Sequence, residues 1–84
     1  MDLTIKFFAK CREDFGEGLK ISIDLNEVSV LELIEILEKD YNLQLKEDFE
    51  NGRIIVSKDF EIVSSNDIIN KNSEIGIYPP VSGG

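Results

Sequence analysis

The sequence predicts an α+β domain, a mixed sheet of about five strands covered by one main helix in the order ββαβββ. Three features of the 84-residue chain predict it. Apolar residues alternate near both ends with the period of two that marks half-buried strands, and a central stretch has the three- and four-residue spacing of an amphipathic helix. The third is a hydrophobic content of 42%, which in so short a chain supplies one core and therefore one domain.

Near the start, "LTIKFFA" sets Leu3, Ile5 and Phe7 against Thr4, Lys6 and Phe8, a strand whose polar side is broken by Phe8. The polar stretch "KCREDFGEG" follows, with room for a turn of helix around Lys10 to Phe15 before a glycine-rich turn. The period of two then returns in "LKISIDL" through Leu19, Ile21, Ile23 and Leu25, so the first two strands are expected to pair antiparallel. In "SVLELIEILEKDY" the period changes: Val30, Leu33, Ile34, Leu37 and Tyr41 form one stripe, and Leu31 and Ile36 widen it. Ser29 and Glu32 supply the S-x-x-E signature of a capping box, in which each side chain satisfies a backbone N–H at the helix start.

Beyond the helix, "NLQLKEDFENG" reads as an irregular connection, with Asn51-Gly52 favouring a positive φ. "RIIVS" and "FEIV" are two short strands joined near Lys58-Asp59, and "SSNDIINKNS" is a further turn region. "EIGIY" closes the domain with Ile75 and Ile77 on one face, Gly76 and Tyr78 on the other. A helix between two amino-terminal strands and a carboxy-terminal strand group lets the first and last strands pair in parallel while the helix covers one sheet face, which is the β-grasp arrangement. The β-grasp domain is expected over residues 1–78, followed by an extended tail over 79–84.

Composition removes several classes of function. Seventeen acidic residues against nine basic ones give a net charge of −8, which opposes binding to nucleic acid or anionic lipid. Such a balance suits a basic protein partner, and it equally serves solubility. The absence of histidine removes serine–histidine and cysteine–histidine catalysis and most zinc sites. Cys11 has no second cysteine with which to form a disulfide and no adjacent base, so a reducing, cytoplasmic setting is expected and an independent nucleophile is not. No apolar run approaches the ~20 residues of a membrane-spanning helix, and no secretory leader opens the chain.

The segment "YPPVSGG" carries the functional signal. Proline fixes φ and holds the preceding residue extended, so Tyr78-Pro79-Pro80 leaves the sheet as a stiff projection. Six residues from Pro79 to Gly84 span up to ~20 Å, enough to enter a neighbouring protein's cleft. Gly83 and Gly84 lack Cβ atoms and fit a channel too narrow for side chains, while the Gly84 carbonyl stays open to attack. A frayed terminus is the plainer reading of two glycines taken alone.

Three stretches, "IKFFAKCREDFG", the capped helix beginning "SVLELIEIL", and "YPPVSGG", make the whole chain resemble the MoaD-type sulfur carriers, the small-subunit family of molybdopterin synthases within the ubiquitin-like β-grasp proteins. One departure lies before the last strand, where "KNSEI" (71–75) replaces the "DGDEV"-like turn of the family. The resemblance implies a non-catalytic carrier with no permanently bound cofactor. Its Gly84 carboxylate would be adenylated at the expense of ATP by a ubiquitin-activating-like adenylyltransferase and converted to a thiocarboxylate by a sulfur donor system. Pro79, Pro80, Val81, Ser82 and Gly83 would then carry that end into the large synthase subunit, in a heterotetramer of two small and two large subunits. There it would donate sulfur to cyclic pyranopterin monophosphate to form the molybdopterin dithiolene. Phe8, Ile62 and Tyr78 would contact the partner, although ordinary edge packing also accounts for the aromatics and strand alternation leaves the facing of Ile62 open. A thiamin-thiazole-type sulfur carrier and a ubiquitin-like protein modifier are the alternatives that share the terminus.

Overall fold

A computed structural model describes residues 1–80. Its elements are β1 (Asp2–Phe7), α1 (Ala9–Phe15), β2 (Gly18–Ser22), β3 (Val28–Ser29), α2 (Val30–Tyr41), α3 (Lys46–Glu50), β4 (Ile55–Lys58), β5 (Glu61–Val63), β6 (Ile68–Ile69) and β7 (Ser73–Tyr78). The main sheet has five strands in the order β2-β1-β7-β4-β5, with β1 and β7 parallel and its other neighbours antiparallel. This is the expected mixed β-grasp sheet.

The alternation read from the sequence sets the two faces. Leu3, Ile5 and Phe7 of β1, Ile21 of β2, Val56 of β4, and Ile75 and Ile77 of β7 are all buried. They share one core with Val30, Leu33, Ile34 and Leu37, the inner stripe of α2. Burying a side chain of this size contributes ~1.5–3 kcal/mol relative to leaving it in water, so this shared core is the main favourable term holding α2 to the sheet.

The start of α2 is fixed as its sequence predicts. Ser29 Oγ accepts from the Glu32 N–H at 3.0 Å, and Glu32 Oε1 accepts from the Ser29 N–H at 2.9 Å. The helix ends at Asn42 in the left-handed region, whose N–H donates to the Leu37 carbonyl. Asparagine tolerates that conformation because its short amide side chain hydrogen-bonds locally.

Several expectations need correction. The 42–52 connection is not irregular throughout, because Lys46–Glu50 forms the short helix α3. No α3 residue is fully buried and only Phe49 packs against the core, too little for a period to show; Lys46 also pairs with Glu35 of α2 at 2.9 Å. Inside the turn region 64–73, Ile68–Ile69 pairs antiparallel with Val28–Ser29 as a small second sheet. Two-residue strands are too short to show a period. The second strand stops at Ser22, leaving Leu25 52% exposed, and Tyr41 at the end of the α2 stripe is 39% exposed. The turn of helix expected around Lys10 to Phe15 is present as α1, and Gly52 has the positive φ expected of Asn51-Gly52, +73°. No helix among the described residues is long and apolar enough to cross a membrane.

Candidate functional site

The sheet face turned away from α2 carries the site. Phe8 follows β1 directly and donates its N–H to the Ile77 carbonyl at 3.0 Å, which places it beside the end of β7. There its ring stacks on Tyr78, with centroids 4.5 Å apart and planes 5° from parallel. Both rings are half-buried, and the face they form lies at the root of Pro79.

Register settles which way Ile62 points. Ile62 pairs with Ser57 on β4, and Ser57 pairs with Gly76 on β7. Opposed residues in a sheet share a face, so Ile62 lies on the same side as Gly76 and Tyr78. It is 76% exposed. Phe60 and Val63 obscured this in the sequence because Phe60 belongs to the hairpin turn rather than to β5.

Ser57, Ile62 and Tyr78 line a groove of ≈ 500 Å³ with Pro79 and Pro80 at its edge, and Phe8 stacks on Tyr78 beside it. Sequence reasoning missed four of its members: Ala9, Ile55, Ser57 and Phe60. Phe60 is the most exposed of the large hydrophobic residues, at 79%. The signal that would have found it is the spacing of the hairpin: Lys58 pairs with Glu61, which makes Asp59-Phe60 a two-residue loop. Such a loop takes positive φ at both positions, here 47° for Asp59 and 72° for Phe60. The Asp59 N–H donates to the Glu74 carbonyl at 2.8 Å and the Asp59 carboxylate accepts from the Glu74 N–H at 2.9 Å, tying the turn to β7.

Non-glycine residues with positive φ gather at this groove. Ala9 (51°) and Phe60 line it and Asp59 adjoins it; the other such residue among those described, Asn42, ends α2. Side chains in that region carry a local backbone cost, and clustering of such cost is a mark of functional surfaces.

Electrostatics leave the groove itself neutral, with Lys6 and Glu74 paired at 3.0 Å on the same sheet face. Cys11 sits in α1 at 5% exposure. Burial raises its thiol pKa, and the carboxylates of Asp14 and Asp48 push it further in the same direction. A thiol so placed stays protonated and is a poor nucleophile. Cys11 lies outside the residues that line the groove, whose lining is largely apolar. Val81, Ser82, Gly83 and Gly84, to which the sequence assigns the tip of the tail, lie outside the described residues.

Known proteins are similar to this chain in sequence and in fold. The molybdopterin synthase sulfur carrier subunit of Dictyostelium discoideum is 38% identical over 82 residues, covering 95% of this chain and 93% of that protein. Among solved structures, SAMP1 from Haloferax volcanii superposes with a TM-score of 0.77 at 22% identity, each chain covered fully at 100%. The putative molybdopterin converting factor, subunit 1, from Pyrococcus furiosus gives 0.72 at 21% identity over 96% of this chain and 99% of that one. The two structures establish the ubiquitin-like β-grasp fold. With the profile of the ThiS family matching residues 5–84 and the Dictyostelium relative aligned over nearly its whole length, the chain belongs to the ThiS family.

Proposed function

We propose that this chain is the sulfur-carrier small subunit of a molybdopterin synthase, acting in the cytoplasm. The observation that carries the reading is the position of the groove: an apolar face with Phe60 and Ile62 exposed, and with Tyr78 braced by Phe8, stands at the base of Pro79-Pro80. Apolar and aromatic surface of this kind anchors a partner, and the rigid prolines then aim the following residues into it. The name of the Dictyostelium relative supports sulfur carriage as the task.

In the proposed cycle, the Gly84 carboxylate attacks the α-phosphorus of ATP on an adenylyltransferase, releasing pyrophosphate and leaving a glycyl-adenylate. A carboxylate is a poor electrophile and AMP is a good leaving group, so a sulfur nucleophile from a donor protein can displace AMP at the glycyl carbon. When the nucleophile is a donor persulfide, an acyl disulfide forms, and a second thiol of the donor system cleaves its S–S bond, leaving the terminal thiocarboxylate and a disulfide on the donor. Phe8, Ile62, Phe60 and Tyr78 then dock on the large synthase subunit while Pro79 to Gly83 carry the sulfur to cyclic pyranopterin monophosphate. Two carriers serve each dithiolene, in keeping with two small and two large subunits. Active-site side chains are supplied by the large subunit.

The test is intact-mass measurement after incubation with ATP, a sulfur source and the cognate activating enzyme. The expected result is exchange of one oxygen for sulfur, localised to Gly84. An unchanged mass with an enzyme verified on another carrier rejects the proposal.

A protein-modifier role is the second reading, favoured by the fold shared with SAMP1, a small archaeal modifier protein. The same activated terminus would then form isopeptide bonds to lysines. High-mass conjugates that vanish when Gly84 is deleted would identify it.

A further inference from the structure

We infer that Gly76 and Ser57 form a berth for the Tyr78 phenol, and that they are positioning residues for the docking face. The inference deepens the sulfur-carrier reading and rests on it for the identity of the partner.

Gly76 lies buried in β7, the central strand of the sheet, where glycine weakens a strand because it offers no side chain to pack. Its backbone lies outside the positive-φ region, so conformational freedom does not explain the residue. Space does. A Cβ at this position would stand 2.6 Å from Ser57 Oγ, 2.7 Å from Tyr78 Cε1 and 2.7 Å from the Tyr78 hydroxyl oxygen. The Tyr78 ring therefore leans back along its own strand and fills the volume that any other residue's Cβ would occupy. At the far end of the ring, Ser57 Oγ donates to the Tyr78 hydroxyl at 3.3 Å, and Ser57 itself is buried.

With its hydroxyl held by Ser57 and its edge seated on Gly76, the Tyr78 ring keeps the plane that lies parallel to Phe8. The berth thus presets the aromatic pair and, through the Tyr78 backbone, the point from which Pro79 departs. Presetting an interface removes the cost of ordering it at the moment of binding.

The three atoms nearest to a Cβ at Gly76 all belong to side chains. By contrast, a Cβ at Gly18 would strike the backbone carbonyl of Ile5. Gly76→Ala is thus expected to displace the Tyr78 ring and leave the sheet standing, whereas substitution at Gly18 opposes the β1–β2 pairing itself.

The experiment compares wild type and Gly76→Ala by nuclear magnetic resonance, by thermal unfolding and by titration with the large synthase subunit. Expected for Gly76→Ala are unchanged backbone contacts between β1 and β7, loss of the ring-to-ring cross-peaks between Phe8 and Tyr78, and roughly tenfold weaker binding. A purely structural role would lower the unfolding temperature without selectively weakening binding. Retention of the ring cross-peaks overturns the inference. Ser57→Ala and Tyr78→Phe, which each remove one hydroxyl and add no volume, provide the reading if Gly76→Ala does not fold: weaker ring cross-peaks support the berth, and unchanged ones in both variants reject it. Failure of wild type to bind the large subunit counts against the sulfur-carrier reading alone, because the ring cross-peaks still decide the berth.

Discussion

Phe8 and Tyr78, from opposite ends of the sequence, lie face to face 4.5 Å apart because β1 and β7 run parallel and end side by side. Neither ring belongs to the helix-covered core. Removing either one should therefore spare the fold and weaken the partner complex. Phe8→Ala and Tyr78→Ala, studied singly and together by calorimetric titration with the large synthase subunit, should each weaken binding by roughly tenfold or more. The two losses should be non-additive, with a coupling of ~0.5–1.5 kcal/mol from the stack. Strict additivity would show that the rings act separately.

Ile62 projects into solvent from β5 on the same face. Ile62→Asp removes an exposed apolar group and places a charge where an apolar partner surface is expected. Stability in urea should stay within ~0.5 kcal/mol of wild type. Binding to the large subunit should fall by about tenfold. Equal affinities for the two proteins would remove Ile62 from the docking face.

Ser29 and Glu32, bonded reciprocally at the start of α2, do not line the groove, and their loss should appear in stability only. Ser29→Ala should cost about 1 kcal/mol. In a domain of this size that lowers Tm by ~4–8 °C, readable by circular dichroism. Affinity for the large subunit should not change.

Leu33 is 0% exposed on the inner stripe of α2. Leu33→Ala leaves a cavity between helix and sheet and should cost ~2–5 kcal/mol, measured by denaturant unfolding. A smaller loss would mean that the core collapses to fill the space.

For Cys11 the folded-state pKa is raised above its ordinary value of 9.0, chiefly by burial. The native state thus holds the thiol proton more tightly than the unfolded chain does. The stabilising contribution is complete below the unfolded pKa and is lost as pH climbs through that value toward the folded one. Alkylation by iodoacetamide should accordingly be slower in the native protein than in urea, with its rate still rising at a pH where the unfolded chain has reached its plateau. Equal rates in the two states would contradict the burial of the thiol.

Much of this architecture could be read from residue order because burial imposes a period. Leu3, Ile5 and Phe7, like Ile75 and Ile77, alternate because one side of each strand meets α2, and the same alternation placed Phe8 and Tyr78 on the opposite side. Ser29 and Glu32 announced the helix start through chemistry confined to one turn. Lys46–Glu50 gave no such sign, since one turn of helix that packs on the core through Phe49 alone is too short to show an apolar stripe. Ile62 could not be oriented from sequence because its facing depends on a register shared across β5, β4 and β7. Gly76 and Ser57 were illegible as a pair for the same reason: they meet only across strands, and glycine at a strand centre does not say what fills its vacant side.

The strand that leads into Pro79 is the middle one of five, bonded along both edges to β1 and β4. A partner that grips the projecting segment and later lets it go transmits its tug along the axis of β7. Such a load must slide two hydrogen-bonded ladders at once, where an outermost strand could be peeled one rung at a time. Under the proposed function, a tail inserted and withdrawn repeatedly would be rooted in the part of the sheet that resists shear most.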